Sequence, residues 1–255
     1  KIVKMAAKNK KIVAITAAMK DGTGLTKFSQ EFPYRFFDIG IAEQHAITMA
    51  AGMAKEGMIP FVPIYSSFYQ RCYDQVIEDV CLQNLPVVMC VDRAGLVGQD
   101  GETHHGLFDV AFFNTIPDIM VYSPCCFRSL NADINNALYG YDLSVAVRYP
   151  RGSQKDNVTK LEYPCIEYAL YGEKNAEKAI VTYGRIPRDA INAVDELKNK
   201  DKDVLLISLN QIKPIPEQVI DLLSDKKEIY FFEEGMKSGG VAEKLGSVLM
   251  EKGIK

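Results

Sequence analysis

Short apolar, β-branched runs alternate with helix-forming stretches about every 20–30 residues, and this alternation constrains the fold more than any other feature. Strands are expected at Ile12–Thr16, 36–40, 60–65, 86–91, 118–122 and 144–149. Helices are expected at 42–53, 67–82 and 128–139; Ile47, Ala50, Ala51 and Ala54 recur at helical spacing. A parallel pair of strands needs a long crossover, usually a helix, so the pattern predicts a largely parallel sheet. The run 152–163 is polar, with Ser153, Lys155, Asp156 and Asn157. Beyond it the pattern restarts, with strands at Lys178–Tyr183, 203–209 and Glu228–Phe232 and helices at 188–199, 216–223 and 240–252. The expected fold class is therefore α/β: two three-layer domains with largely parallel sheets, at residues 1–152 and 165–255. The polar run is expected to be an exposed linker.

Composition narrows the function. The chain has 255 residues, 47% of them hydrophobic, enough to build two cores. Lysine and arginine total 30 against 33 aspartates and glutamates, a net charge of −3. There is no basic stripe for nucleic acid and no polybasic segment for a membrane surface. No run approaches the roughly 20 apolar residues of a membrane span. No apolar segment of signal-peptide type follows Lys1, so a cytoplasmic protein is expected. The six cysteines form no C-x-x-C pair, and buried, reduced thiols are expected of them. The chain does not start with methionine, so a fragment or a processed chain is expected.

Open parallel sheets bind ligands beyond the carboxyl ends of their strands. After 36–39 come Glu43 and His45, at the start of a helix. An acid there can complement the helix dipole or serve a ligand. After 60–65 come Phe68, Tyr69 and Arg71. After 86–91 runs a long loop, 92–106, with four glycines, several acids, Arg93, His104 and His105. Loops that long in compact domains are usually functional. Arg148 and Arg151 close the last strand, and guanidinium forks at a strand end suit phosphate. Together these residues suit a polar, phosphorylated substrate and proton transfer. A Walker motif, a G-x-G-x-x-G turn and the H-E-x-x-H zinc motif are absent.

These motifs also carry a resemblance. The stretch Phe36-Phe37-Asp38-Ile39-Gly40-Ile41-Ala42-Glu43-Gln44-His45-Ala46 resembles the pyrimidine-binding motif of the 1-deoxy-D-xylulose-5-phosphate synthase family, within the transketolase superfamily. Asp21-Gly22-Thr23-Gly24, Tyr65-Ser66-Ser67-Phe68, Gln70-Arg71, the loop 92–109 and Arg148-Tyr149-Pro150-Arg151-Gly152 agree in order. The match is dense over 10–153 and looser beyond. The resemblance implies a thiamine-diphosphate-dependent transferase that condenses pyruvate with D-glyceraldehyde 3-phosphate to 1-deoxy-D-xylulose 5-phosphate and CO2, a precursor for isoprenoids, thiamine and pyridoxal. By the resemblance, Glu43 bonds a ring nitrogen of the aminopyrimidine and favours the imino tautomer that activates the thiazolium carbon. Phe68 stacks on that ring, with Tyr65 beside it. Arg71, Arg93, Arg151, Tyr65 and His104 bind substrate, with Arg93 and Arg151 on the phosphate. His104 and Asp100 join Glu43 as catalytic groups. His105 replaces a residue that is usually glutamine and receives no role. His45 is expected behind the residues that touch ligand.

The resemblance also implies what should hold the rest of the cofactor. Such synthases bind the diphosphate and Mg²⁺ on a preceding domain with a G-D-G…N motif, which this sequence does not contain. No metal ligands are assigned here. The third domain is expected to be incomplete, and the chain alone inactive. A homodimer is expected, with Ala46, Met49, Ala50 and Met53 at the contact. Two other readings are a natural split subunit completed by a diphosphate-binding partner, and a non-catalytic dimerisation module. The joint presence of Glu43, Phe68, Arg93, Asp100, His104 and Arg151 argues against the module.

Overall fold

A computed structural model describes residues 1–254. The first half of the chain runs through α1 (Ile2–Lys8), β1 (Ile12–Thr16), α2 (Thr26–Glu31), β2 (Phe36–Asp38), α3 (Glu43–Lys55) and β3 (Ile59–Tyr65). It continues with α4 (Ser66–Tyr69), α5 (Tyr73–Gln75), β4 (Val88–Asp92), α6 (Asp109–Thr115), β5 (Met120–Tyr122), α7 (Phe127–Tyr139) and β6 (Val145–Tyr149). The second half contains β7 (Tyr168–Gly172), β8 (Lys178–Tyr183), α8 (Pro187–Lys198), β9 (Leu205–Leu209), β10 (Gln211–Lys213), α9 (Glu217–Leu223), β11 (Glu228–Phe232) and α10 (Val241–Glu251).

Two sheets result. One has the order β10-β5-β6-β4-β3-β1-β2, the other β11-β8-β9-β7. All pairings are parallel except β10 on β5 and β7 on β9. Strands β1, β4 and β9 are buried at every position, because helices cover both faces of each sheet. On the first sheet Met5, Phe28 and Leu138 of the helices pack one face against Ile12, Phe61 and Val147. The opposite face packs Ile47, Tyr69 and Val76 against Ile64, Met89 and Val91, in a core continuous with Val181 and Ile207 of the second sheet. The fold is α/β with two largely parallel sheets, as the alternation implied. No helix among the described residues is long and apolar enough to cross a membrane.

Several local expectations differ. The expected helix 67–82 is split into four segments of three windings: α4, a 3₁₀ turn at Gln70–Cys72, α5, and a π segment at Val76–Cys81. Apolar spacing reports a buried face but not the winding beneath it. The run 152–163 is not fully exposed: a 3₁₀ turn, Asp156–Lys160, places Val158 and Leu161 in a core with Ile191 and Val194 of α8. Of the four residues expected at a partner contact, Ala46 and Ala50 are fully buried within this chain. Met49 and Met53 are half-buried against the same core. The thiols of Cys125, Cys126 and Cys165 are partly exposed, while Cys72, Cys81 and Cys90 are buried as expected.

Candidate active site

The chain runs outward from β1 to β2 and then returns to set β3 on the other side of β1. Loops leaving β1 and β3 therefore diverge and open a crevice at the carboxyl edge. Register places Tyr65, Asp92 and Tyr149 side by side at the ends of β3, β4 and β6. The loop after β1 brings in Gly22, where any side chain would collide with the Tyr65 hydroxyl. Glycine at 22 is thus required by close approach rather than by a turn.

Arg93 follows β4 directly, in the left-handed region at φ 61°. Its guanidinium lies 3.6 Å above the centre of the Tyr65 ring, donates to Asp100 Oδ2 at 2.7 Å and reaches the Gly22 carbonyl at 3.3 Å. Arg151, beyond β6, donates to the other Asp100 oxygen. One carboxylate thus bridges two guanidiniums. Partial burial would raise the Asp100 carboxyl, but hydrogen bonds from Arg93 and Arg151 outweigh it and hold it below the usual carboxylate range. Asp92 behaves oppositely: burial pushes it up to about 6 against the pull of Arg93.

On the other side of Tyr65 the Phe68 ring is stacked at 5.8 Å, and the His104 ring meets Phe68 edge-on at 5.2 Å. Arg71 sits 5.4 Å over Phe68 and donates to Glu43 at 3.2 and 3.4 Å. Glu43 is the first residue of α3 and is 1% exposed. Its carboxylate sits at the positive end of a thirteen-residue helix that has no side-chain cap. The eight expected site residues therefore form one unbroken line of contacts: Glu43, Arg71, Phe68, His104, Tyr65, Arg93, Asp100 and Arg151.

The loop 95–106 is held from both ends. Gly95 and Gly106 exchange backbone hydrogen bonds at 2.8 Å, and the amide of Val97 donates to His105 Nδ1 at 2.9 Å. His105 accordingly pins the loop, with its remaining ring proton on Nε2. A side chain at Gly106 would run into the Arg93 carbonyl and Ser66 Oγ. His45 is exposed on α3. Arg148 does not reach the crevice. It is buried in a fork to Asp109 at 2.8 and 3.2 Å and bonds Ser123 Oγ at 3.2 Å.

Residues 1–155 match the family described as transketolase, pyrimidine binding domain, and residues 167–255 the one described as transketolase, C-terminal domain. The chain belongs to the transketolase family. It is 46% identical over 258 residues to a 1-deoxy-D-xylulose-5-phosphate synthase of Clostridium perfringens strain SM101, covering 99% of this chain and 41% of that protein. A synthase of the same description from Clostridium tetani is 44% identical over 241 residues, covering 94% and 39%. The chain thus spans about two-fifths of the length of these curated relatives. Among solved structures, a split-gene transketolase described as an inactive beta4 tetramer superposes with a TM-score of 0.80 at 23% identity, over 98% of this chain and 82% of that one. Transketolase from Campylobacter jejuni gives 0.76 at 16% identity, over 98% and 45%.

In this transketolase-type fold the second sheet also reaches the crevice, through residues the sequence reading missed. Glu234, beyond β11, lies against Gly95 and is held by Arg185, beyond β8, at 2.6 and 3.0 Å. The carboxyl-end rule applied to β8 and β11 points to both. The residues fit an aminopyrimidine-bearing cofactor in three respects: a buried carboxylate, a partly exposed stacked aromatic pair, and two buried hydroxyls, Ser66 Oγ and Ser67 Oγ, without partners among the described residues.

Proposed function

We propose that this chain supplies the pyrimidine-binding and C-terminal parts of a thiamine-diphosphate-dependent 1-deoxy-D-xylulose-5-phosphate synthase, which joins pyruvate to D-glyceraldehyde 3-phosphate with loss of CO2. The observation that carries this reading is the unbroken line of contacts from Glu43 to Arg151. The cofactor, when bound, supplies a carbon nucleophile and an electron sink for decarboxylation. Glu43 would hold a proton at a pyrimidine ring nitrogen, with Phe68 and Tyr65 setting the plane of that ring. Arg93 and Arg151 already converge on one carboxylate, Asp100, which supports assigning them a substrate phosphate. Arg71 and His104, on either side of Phe68, would orient the pyruvate carboxylate and carbonyl, and Asp100 with His104 would steer proton movement.

The diphosphate and Mg²⁺ would be held by a separate domain, in the same polypeptide or in a partner, and this chain alone would be inactive. We place the assembled enzyme in the cytoplasm as a homodimer, feeding isoprenoid, thiamine and pyridoxal synthesis. The test is reconstitution with the diphosphate-binding domain, thiamine diphosphate and Mg²⁺, measuring CO2 release and product. CO2 release that requires both pyruvate and glyceraldehyde 3-phosphate is expected. Transfer of a two-carbon ketol unit from a sugar phosphate without CO2 release would refute the substrate assignment.

A further inference from the structure

Cys125 and Cys126 stand at the head of α7, on the wall of a cavity of about 520 Å³. Cys126 is the N-cap: its Sγ accepts from the Ser129 amide at 3.5 Å and lies 3.3 Å from Ser129 Oγ. The Tyr163 hydroxyl is 3.3 Å from Cys125 Sγ and 3.4 Å from Cys126 Sγ. One sulfur therefore sits among several donors at the positive end of a thirteen-residue helix, a setting that stabilises thiolate. A hydrogen bond from Cys125 lowers the Cys126 thiol most, and those from Ser129 and Tyr163 add to it against partial burial. Burial drives Cys72 and Cys90 the other way.

Cationic side chains outnumber acids on the cavity wall. Arg93, Arg151, Lys155, Arg185 and Arg188 line it, and Asp92 is the one acid among the lining residues. Arg93 and Arg151 are tied to Asp100, Arg185 to Glu234 and Arg188 to its neighbour Asp189. The same cavity is lined by the two thiols and by Arg93 and Gly22 of the crevice.

We propose that Cys126 is a modification site for small anionic disulfides, which form a mixed disulfide with it inside this cavity. The Cys126 thiolate attacks one sulfur of the disulfide. A protein–ligand S–S bond forms as the ligand's own S–S bond breaks, and the departing thiolate takes a proton from solvent. Cys126 is oxidised and the released sulfur reduced, so the disulfide is the only oxidant required. The Ser129 amide and the positive end of α7 favour the attacking thiolate, and the cations of the wall attract the ligand's carboxylates. This inference does not rest on the proposed function.

The test treats the whole chain with glutathione disulfide, which is anionic, and with hydroxyethyl disulfide, which is neutral, and follows adducts by intact mass and peptide mapping. The adduct with glutathione disulfide is expected on Cys126, at a rate about tenfold above that at Cys165, which is also partly exposed. Cys126→Ser retains an N-capping side chain and should abolish the adduct without lowering Tm. Lys155→Ala and Arg188→Ala should each slow the anionic disulfide several-fold and leave the neutral one unchanged. Labelling spread evenly over Cys126 and Cys165, or found first on Cys125, would overturn the assignment of the site. Equal loss of rate with both disulfides in the cation variants would overturn the choice of ligand.

Discussion

The Arg71 guanidinium donates to both oxygens of Glu43, at 3.2 and 3.4 Å, although Glu43 is buried and the Arg71 side chain is 49% exposed. Arg71 reaches Glu43 from the 3₁₀ turn between α4 and α5, and Glu43 stands at the head of α3. A carboxylate taken out of water is tolerable here because it has a cation on one side and a helix N-terminus on the other.

Removing either partner should therefore have unequal effects. Arg71→Ala leaves a buried carboxylate without its cation and should cost about 1–2 kcal/mol, softened because water can enter where the side chain stood. Glu43→Gln leaves an arginine that solvent can hydrate, so its stability should change little. Urea denaturation of the single variants and of the double variant measures the coupling. Equal losses in both single variants would show that the pair is not asymmetric in this way.

Arg148 gives a larger expected effect. Its side chain is 3% exposed and that of Asp109 is fully buried. Arg148→Ala should destabilise the chain by about 3–5 kcal/mol, because it strands a buried carboxylate. Pairing Arg148→Met with Asp109→Leu should recover most of the loss. A small drop in urea midpoint for Arg148→Ala would mean that water reaches Asp109.

These two arginines mark how far the sequence could be read. Strand positions were legible because β-branched runs bounded by turns have few alternatives, and the carboxyl-end rule then located Glu43, Phe68, Arg93 and Arg151. The same rule could not separate Arg148 from Arg151. Arg148 lies within β6 and is buried, whereas Arg151 lies beyond the end of the strand, and only the packing of α6 supplies Asp109. Strand β10 is three residues long and pairs antiparallel with β5 of the first sheet, a long-range contact with no local signature. Val158 and Leu161 were masked by their polar neighbours, although two apolar residues three apart suffice to dock a short turn on α8.

Acid–base linkage supplies a third expectation. Asp133 of α7 is fully buried, accepts from Asn210 at 2.7 Å, and is raised by burial from 3.8 to about 8. Its folded form holds a proton that the unfolded form releases above 3.8, so its stabilising contribution is present at low pH and is lost as pH rises toward 8. Asp92, raised to about 6, adds a loss of the same sign over a narrower range. Stability should fall by about 2–4 kcal/mol between pH 5 and pH 8, and Asp133→Asn should remove most of that slope. Chemical denaturation at both values of pH decides. A wild-type slope of the opposite sign would place a charged, paired Asp133 in the core.

The last expectation separates chemistry from binding at the two ends of the site, in enzyme reconstituted with the diphosphate-binding domain. On the proposed reading Glu43 would act on the cofactor ring, an interaction that matters in forming the reactive state. Glu43→Ala should therefore lower kcat by about 10²–10⁴, the usual worth of acid–base assistance, with the loss carried equally into kcat/KM. Arg151 lies at the far end, with a side chain that is 40% exposed and joined to Arg93 only through Asp100. Arg151→Ala removes one charged fork and leaves the other, so it should raise KM for glyceraldehyde 3-phosphate by about 10–100-fold while sparing KM for pyruvate. The two variants thus predict opposite patterns in the same assay. If Glu43→Ala keeps a near-native kcat, the cofactor role of Glu43 is wrong. If Arg151→Ala raises both KM values together, Arg151 supports the loop through Asp100 instead of gripping phosphate.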